Sequence, residues 1–129
     1  AFHVFRHSPQ LNIDSLELLL RLFQEHGNYI TDHLEFSHIA TSNHYLSDLA
    51  GMLWLGDFLP EFRDSEYWSN VGSVDMLLEM DKQVLPDGAD YEASTGYHRF
   101  VLELFLYSFV FRRLNEDHSE RTEDDIQPA

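Results

Sequence analysis

Cysteine is absent from the 129-residue sequence, and lysine occurs only once, as Lys82. The lack of cysteine excludes disulfide bonds, thiolate zinc sites and thiol catalysis. Eight Lys and Arg stand against 23 Asp and Glu, a formal net charge of −15, so the basic surface that nucleic acid requires is missing. The longest apolar stretch, near residues 100–111, is interrupted by Glu103 and is too short to span a bilayer. We therefore expect neither a nucleic-acid partner nor a transmembrane segment.

Several short motifs that carry chemistry are also missing. The sequence has no phosphate-binding glycine loop, no G-x-S-x-G and no H-E-x-x-H. His33, His38 and His44 are not spaced as metal ligands on one helix face. His3 and His7 have a helical spacing, but their segment lacks helix signals. The sequence therefore predicts no metal site.

What the sequence does contain is enough apolar material for one packed domain. Hydrophobic residues make up 43% of the chain, with ten Phe, six Tyr and two Trp. This composition is too apolar for an acidic disordered chain, and the length suffices for a single hydrophobic core.

The first helix is predicted from its boundaries and its apolar spacing. Asp14 stands three residues before Glu17, a capping-box-like start, and Gly27 supplies a stop. Four residues at i, i+3, i+4 and i+7 form its inner face: Leu16, Leu19, Leu20 and Phe23. A short second helix is predicted around Tyr29–Phe36.

Three longer helices follow. They are predicted at about Asn43–Leu55, from Asp64 or Ser65 to about Val84, and from near Ser94 to about Leu114. Pro86-Asp87-Gly88 predicts a turn between the last two, because Pro presets φ and Gly permits positive φ. No segment shows strand alternation, so the fold class is all-α, built from paired helices.

The chain divides into three parts on this interpretation. Residues 1–13 form an irregular lead-in, residues 14–115 a helical domain, and residues 116–129 an acidic polar tail. The helices at 43–55 and 94–114 are apolar nearly all round, which is typical of helices covered on more than one side. We expect a homo-oligomer or further domains of the same protein to cover them.

Asn43 and His44 stand together at a predicted helix start. The simpler interpretation is that Asn43 caps the helix beside a surface histidine. The alternative is that the amide and the imidazole jointly bind an anionic group, helped by the helix dipole.

A second cluster of polar residues, at 87–98, precedes and enters the last helix. It contains two acids, Asp87 and Glu92, followed by Tyr97 and His98. One interpretation is a solvated turn with acids suited to a helix N-terminus. Another is chemical: a phenol serves as acid or base when its neighbours favour it, and Asp87 and Glu92 could form a glycosidase acid pair.

These segments together resemble the heparinase II/III-like polysaccharide lyases and the related alginate lyases. The resemblance covers roughly residues 34–107. It rests on Asn43-His44-Tyr45-Leu46, a helix ending in Leu55-Gly56, Trp68, Asp87-Gly88, Glu92-Ala93-Ser94 and Tyr97-His98.

The resemblance implies a fold and an activity. It implies that the helices are part of an incomplete α/α toroid, followed by a β-sandwich domain, with an acidic polysaccharide bound between them. Cleavage is implied to proceed by β-elimination at a uronic acid, without a cofactor. It also implies a periplasmic or secreted protein.

The same resemblance implies residue roles. Asn43 neutralises the uronate carboxylate, and His44 assists it or takes part in proton transfer. Tyr97 is the catalytic acid and also the base. Glu92 and His98 orient these residues.

The chain also departs from this family. It is far shorter than such lyases, and no β-sandwich can be recognised after Asn115. The resemblance therefore implies that residues of a second domain, including a further catalytic histidine, complete the site. We expect this polypeptide alone to be weakly active or inactive.

The net charge of −15 repels a polyanionic sugar at long range. We therefore expect binding to depend on short-range contacts from Asn43, His44, Tyr97 and Arg99. Two alternatives stay open: a non-catalytic helical carbohydrate-binding or assembly module, and an α/α-toroid glycoside hydrolase that uses Asp87 and Glu92.

Overall fold

The computed structural model describes residues 8–39 and 42–124, with side chains up to residue 115. It contains four helices: α1 (Ile13–Asp32), α2 (Asn43–Phe58), α3 (Ser65–Gln83) and α4 (Thr95–Asp124). Within the described residues no strand forms, although an isolated antiparallel bridge joins Val84 to Asp90. The predicted all-α class is confirmed. His3, His7 and most of the predicted lead-in lie outside the described residues.

The central element of the fold is α2, which packs against the other three helices and most extensively against α3. Its apolar residues are buried on several sides, as the all-round apolar pattern predicts. They join residues of α3 and α4 in one core: Leu46, Leu49, Leu53, Met76, Val101 and Phe105. By contrast, α4 keeps an exposed apolar face, where Leu102, Leu106 and Leu114 are about half exposed.

The boundaries predicted for α1 are wrong at both ends. Asn12, not Asp14, caps the helix, because its side chain accepts a hydrogen bond from the backbone of Ser15. The helix also runs through Gly27, where a β-carbon would collide with the ring of the buried Trp68. This glycine therefore permits close packing of α3 against α1 rather than ending α1. The predicted helix at 29–36 does not exist, since its first residues belong to α1.

The later helices agree better with the sequence pattern. Both α2 and α3 begin where predicted, and α3 ends one residue before Val84. The predicted end of α2 at Leu55 is wrong, since the helix runs through Gly56 to Phe58. The predicted Pro86-Asp87-Gly88 turn is present, with Gly88 at a φ of 85°. The last helix, α4, continues to Asp124, beyond the predicted end at Leu114 and into the segment expected to be a polar tail. No helix among the described residues has the length and apolar character needed to cross a membrane.

The turn between α3 and α4 is closed by backbone hydrogen bonds. Leu85 N donates to Ala89 O at 2.8 Å, and Tyr91 N donates to Gln83 O at 2.9 Å. We call residues 83–91 the hairpin turn. It places Asp90 and Glu92 beside the beginning of α2.

The contact between α2 and α3 depends on a glycine, and this yields a stability prediction. A β-carbon at Gly72 would lie 2.7 Å from Leu53 N and 2.9 Å from Leu49 O, both backbone atoms of α2. Gly72→Ala should therefore lower the free energy of unfolding by about 1–3 kcal/mol, despite the higher helix propensity of alanine. Chemical denaturation measures this.

The matched control is Gly96→Ala in α4, where the added β-carbon meets only Ser94 Oγ at 3.8 Å. This control should be neutral or stabilising. Equal stability of Gly72→Ala and the unmodified protein would contradict the packing described here.

Candidate functional site

Asn43 lies in the first turn of α2 and turns its side chain inward. Ser42 caps the helix instead, since its Oγ accepts a hydrogen bond from Tyr45 N at 3.3 Å. The expectation that Asn43 is the cap is therefore wrong. Its amide is available for other contacts, and it is 8% exposed. Asn43 Nδ2 donates to Glu92 Oε1 at 3.0 Å and to Oε2 at 3.3 Å.

Further hydrogen bonds continue from Glu92 to α4. Glu92 N donates to Asp90 Oδ2 at 3.3 Å, and Asp90 N donates to His98 Nδ1 at 3.2 Å. We call Asn43, Glu92, Asp90 and His98 the polar chain. Its two ends come from different helices, so the fold unites the two segments that the sequence singles out.

The polar chain also constrains the state of His98. Because Nδ1 accepts the backbone hydrogen bond, the proton of the neutral ring lies on Nε2. His98 lines an open concavity of about 480 Å³ together with residues of the hairpin turn and of the start of α4. Its other polar lining residues are Asp87, Asp90, Ser94 and Thr95.

Tyr97 lies beside His98 in the first turn of α4 and is half exposed. Tyr45, in the first turn of α2, differs: it is buried and its hydroxyl donates to Asp75 Oδ2 at 2.8 Å. Burial and this hydrogen bond raise the pKa of Tyr45 well above its usual value, so it is unsuited to act as a base.

His44 is not part of the polar chain. Its Nδ1 lies 2.8 Å from Glu35 Oε2, and both side chains are largely exposed. Glu35 N in turn donates to Asp48 Oδ2 at 2.9 Å. Burial raises the pKa of the Asp48 carboxyl, and the charge of Glu35 adds to this effect. Among the described residues, the His44 ring makes no hydrogen bond to Asn43 or Glu92.

Arg99 and Asp87 lie on the surface. Arg99 Nε donates to Glu103 Oε1 at 2.9 Å along α4, with 81% of the Arg99 side chain exposed. Such an exposed pair contributes little to stability. Asp87 Oδ1 accepts from Ala89 N at 3.0 Å, so this carboxylate stabilises its own turn.

Two buried polar residues were missed by sequence reasoning. Glu79 is 2% exposed and Gln83 is fully buried, both on α3 beneath the polar chain. The sequence does indicate that these two residues are buried, because Met76, Glu79 and Gln83 follow the i, i+3, i+7 spacing of a buried helix face. Among the described residues, no group of three His, Asp or Glu side chains could hold a metal ion.

Comparison with known proteins places this chain in a family. Residues 1–125 match the family described as Heparinase II/III N-terminus. The chain belongs to this family, and the match extends beyond the residues that carry the resemblance in the sequence. No solved structure matches the chain.

Three curated relatives are all named heparin-sulfate lyase. The protein of Pedobacter heparinus is 30% identical over 109 residues, which are 84% of this chain and 16% of that protein. The protein of Bacteroides stercoris is 29% identical over 81% of this chain and 15% of its own length. The protein of Bacteroides thetaiotaomicron is 24% identical over 96% of this chain and 17% of its own length. The chain thus spans about one sixth of the relatives' length.

The hydrogen bond between Asn43 and Glu92 leads us to predict a pH-dependent loss of stability when Asn43 is replaced by a carboxylate. Asn43→Asp should replace the donor with a second carboxylate, lowering the free energy of unfolding at pH 7 by about 1–3 kcal/mol. Repulsion raises the pKa of the carboxylate pair in the folded state above its unfolded value. The destabilisation is therefore present at neutral pH and disappears as the pH falls and the pair takes up a proton.

Urea denaturation at pH 7 and at pH 4 measures this effect. The control is Asn28→Asp on the exposed surface of α1, where the new carboxylate still accepts from Gln24 Nε2. A loss at pH 7 no larger than that of the control would show that the Asn43–Glu92 contact does not form.

Proposed function

We propose that the chain provides the helical part of a polysaccharide lyase site that cleaves uronic-acid-containing polysaccharide by β-elimination. The observation that carries this proposal is the hydrogen bond of Asn43 to Glu92, 49 residues away. It joins both motif segments on one surface, in a chain whose curated relatives are named heparin-sulfate lyase. A heparan-sulfate-like or alginate-like polymer is the expected substrate class.

The chemistry requires stabilisation of charge next to a weakly acidic proton. In β-elimination at a uronate, the proton lies α to a carboxylate, and its removal builds an enolate-like dianion. Hydrogen bonds to that carboxylate stabilise the developing charge. The Asn43 amide has two N–H groups, so it can donate to Glu92 and to the uronate together. Glu92 thereby orients Asn43 toward the substrate.

Tyr97 is the proposed acid and base. A phenol at the first turn of α4 can accept the α-proton as phenolate and return a proton to the leaving glycosidic oxygen. Tyr97 lies in the first turn of α4 and is half exposed, so its hydroxyl is open to a substrate. His98 accepts from Asp90 N through Nδ1, which holds its ring in place, and we propose that it orients the reacting groups.

His44 and Arg99 are proposed to contact the polyanion at its edges. Both side chains are largely exposed, and each is paired with a carboxylate of its own chain, Glu35 and Glu103 respectively. A sulfated or carboxylated sugar would compete with these carboxylates for the hydrogen-bond donors of His44 and Arg99. Because the polymer is an extracellular material, we propose a periplasmic or secreted location.

The test is an assay of the full-length polypeptide that carries this chain. Heparan sulfate, alginate and other uronate polymers are incubated with it, and the ultraviolet absorbance of the unsaturated product is followed. Tyr97→Phe should lower kcat by about 10²–10⁴-fold, and Asn43→Ala by about 10²–10³-fold. The matched control is Tyr107→Phe, which removes a hydroxyl from a tyrosine that is also half exposed on α4.

Three other outcomes would contradict this proposal, and two of them would indicate a different function. Unchanged turnover in Tyr97→Phe would refute the role of this tyrosine. New reducing ends without the absorbance would indicate hydrolysis and favour Asp87 and Glu92 as an acid pair. Binding of the polymer with neither product would favour a non-catalytic carbohydrate-binding module.

A further inference from the structure

The inward face of α3 ends in a buried polar pair that the proposed chemistry does not use. Glu79 and Gln83 are both almost inaccessible to solvent. Burying a carboxylate is costly unless it is paired and hydrogen-bonded. Here Lys82 Nζ approaches Glu79 Oε1 at 2.6 Å, and Gln83 Nε2 donates to Glu79 Oε2 at 3.0 Å. The two oxygens of Glu79 are thus each engaged.

Gln83 contacts both segments that carry the site. Its side-chain Nε2 lies 3.4 Å from the carbonyl oxygen of Ser42, the residue before Asn43. Its backbone carbonyl accepts from Tyr91 N at 2.9 Å, and Tyr91 is the residue before Glu92. Gln83 is therefore bonded to the immediate neighbours of both partners in the Asn43–Glu92 hydrogen bond.

Glu79 fixes the orientation of this contact. Two groups that Gln83 Nε2 contacts, the Glu79 carboxylate and the Ser42 carbonyl, are acceptors, so the amide nitrogen faces them. If the Gln83 amide were rotated by 180°, its oxygen would face the oxygens of Glu79 and Ser42. The charged Glu79 thus selects one orientation of Gln83, and Lys82 balances its charge from the surface side.

Stability alone does not explain this pair. Replacing a buried charged group and its buried partner by apolar residues of similar volume is often neutral or stabilising. A chain that only needed a packed α3 could carry Leu or Met at both positions, as it does at Met76 on the same face. The polar pair instead connects α3 to the first turn of α2 and to the hairpin turn.

We infer that Gln83 is a positioning residue, oriented by Glu79, that sets the distance and direction of the Asn43–Glu92 hydrogen bond. This inference rests on the proposed lyase function. Gln83 does not reach the substrate and acts only through Asn43 and Glu92. Loss of its amide should let the start of α2 and the hairpin turn shift relative to each other.

The experiment compares variants of the full-length polypeptide in the lyase assay. Gln83→Met keeps the volume but removes the donor, and it should lower kcat by about 10- to 100-fold, because small misplacement of a catalytic group has effects of this size. KM should change far less, since the carboxylate contact strengthens in the transition state. Glu79→Gln keeps an oxygen that accepts from Gln83 and should retain most of the turnover that Glu79→Leu loses.

The matched control is a buried hydrogen bond away from the site. Ser108 in α4 is fully buried, and its Oγ accepts from Trp54 Nε1 at 3.0 Å. Ser108→Ala should lower stability without lowering kcat. If Gln83→Met affects kcat no more than Ser108→Ala does, the positioning role is wrong. Should Gln83→Met fail to fold, Gln83→Asn, which withdraws the amide by one methylene, replaces it in the same comparison.

A double-mutant comparison separates positioning from general destabilisation. In an Asn43→Ala background, Gln83→Met should cause no further loss of kcat, because its effect passes through Asn43. Independent, multiplying losses would overturn the inference. If Asn43→Ala and Tyr97→Phe themselves leave turnover intact, the proposed function fails instead.

A spectroscopic measurement tests the positioning role of Gln83 independently of the enzyme assay. The side-chain amide signal of Asn43 in ¹⁵N-edited NMR should shift in Gln83→Met and stay in place in Ser108→Ala. An Asn43 signal that is equally unaffected by both substitutions would contradict the inference.

Discussion

The burial of α2 on three sides is the constraint from which the site follows. A helix that packs against α1, α3 and α4 together cannot turn or slide, so its first residue has a fixed place. Asn43 occupies that place. The hairpin turn and the start of α4 must then meet α2 at this end, because α3 runs alongside α2 and ends there.

A buried helix start also needs polar partners for its backbone groups. Ser42 Oγ accepts from Tyr45 N, and the Ser42 carbonyl accepts both from Leu46 N within the helix and from Gln83 Nε2. Asn43 is consequently released from capping and donates to Glu92. The same polar residues thus close the end of α2 and build the candidate site. In a family of lyases, this arrangement gives an amide at a fixed position with a tyrosine at the start of a neighbouring helix.

The sequence predicts those helix bounds that are determined by residues close to them in the chain. The starts of α2 and α3, the end of α3 and the turn at Gly88 follow from apolar spacing and turn residues near in the chain. The continuation of α1 through Gly27 could not be predicted this way, since its cause is the ring of Trp68 on another helix. The motif segments stand out in the sequence as polar residues at helix starts, and the family resemblance implies their roles. Their connection through Asp90 and Gln83 depends on tertiary contacts that one sequence does not reveal.

The central claim is that Asn43 binds the uronate carboxylate while Glu92 orients it. The most direct measurement is a crystal structure of the full-length Tyr97→Phe protein with a bound heparan sulfate oligosaccharide. We expect a uronate carboxylate oxygen within hydrogen-bond distance of Asn43 Nδ2, with the Asn43–Glu92 contact retained. An oligosaccharide bound elsewhere, with no carboxylate near Asn43, would contradict the account.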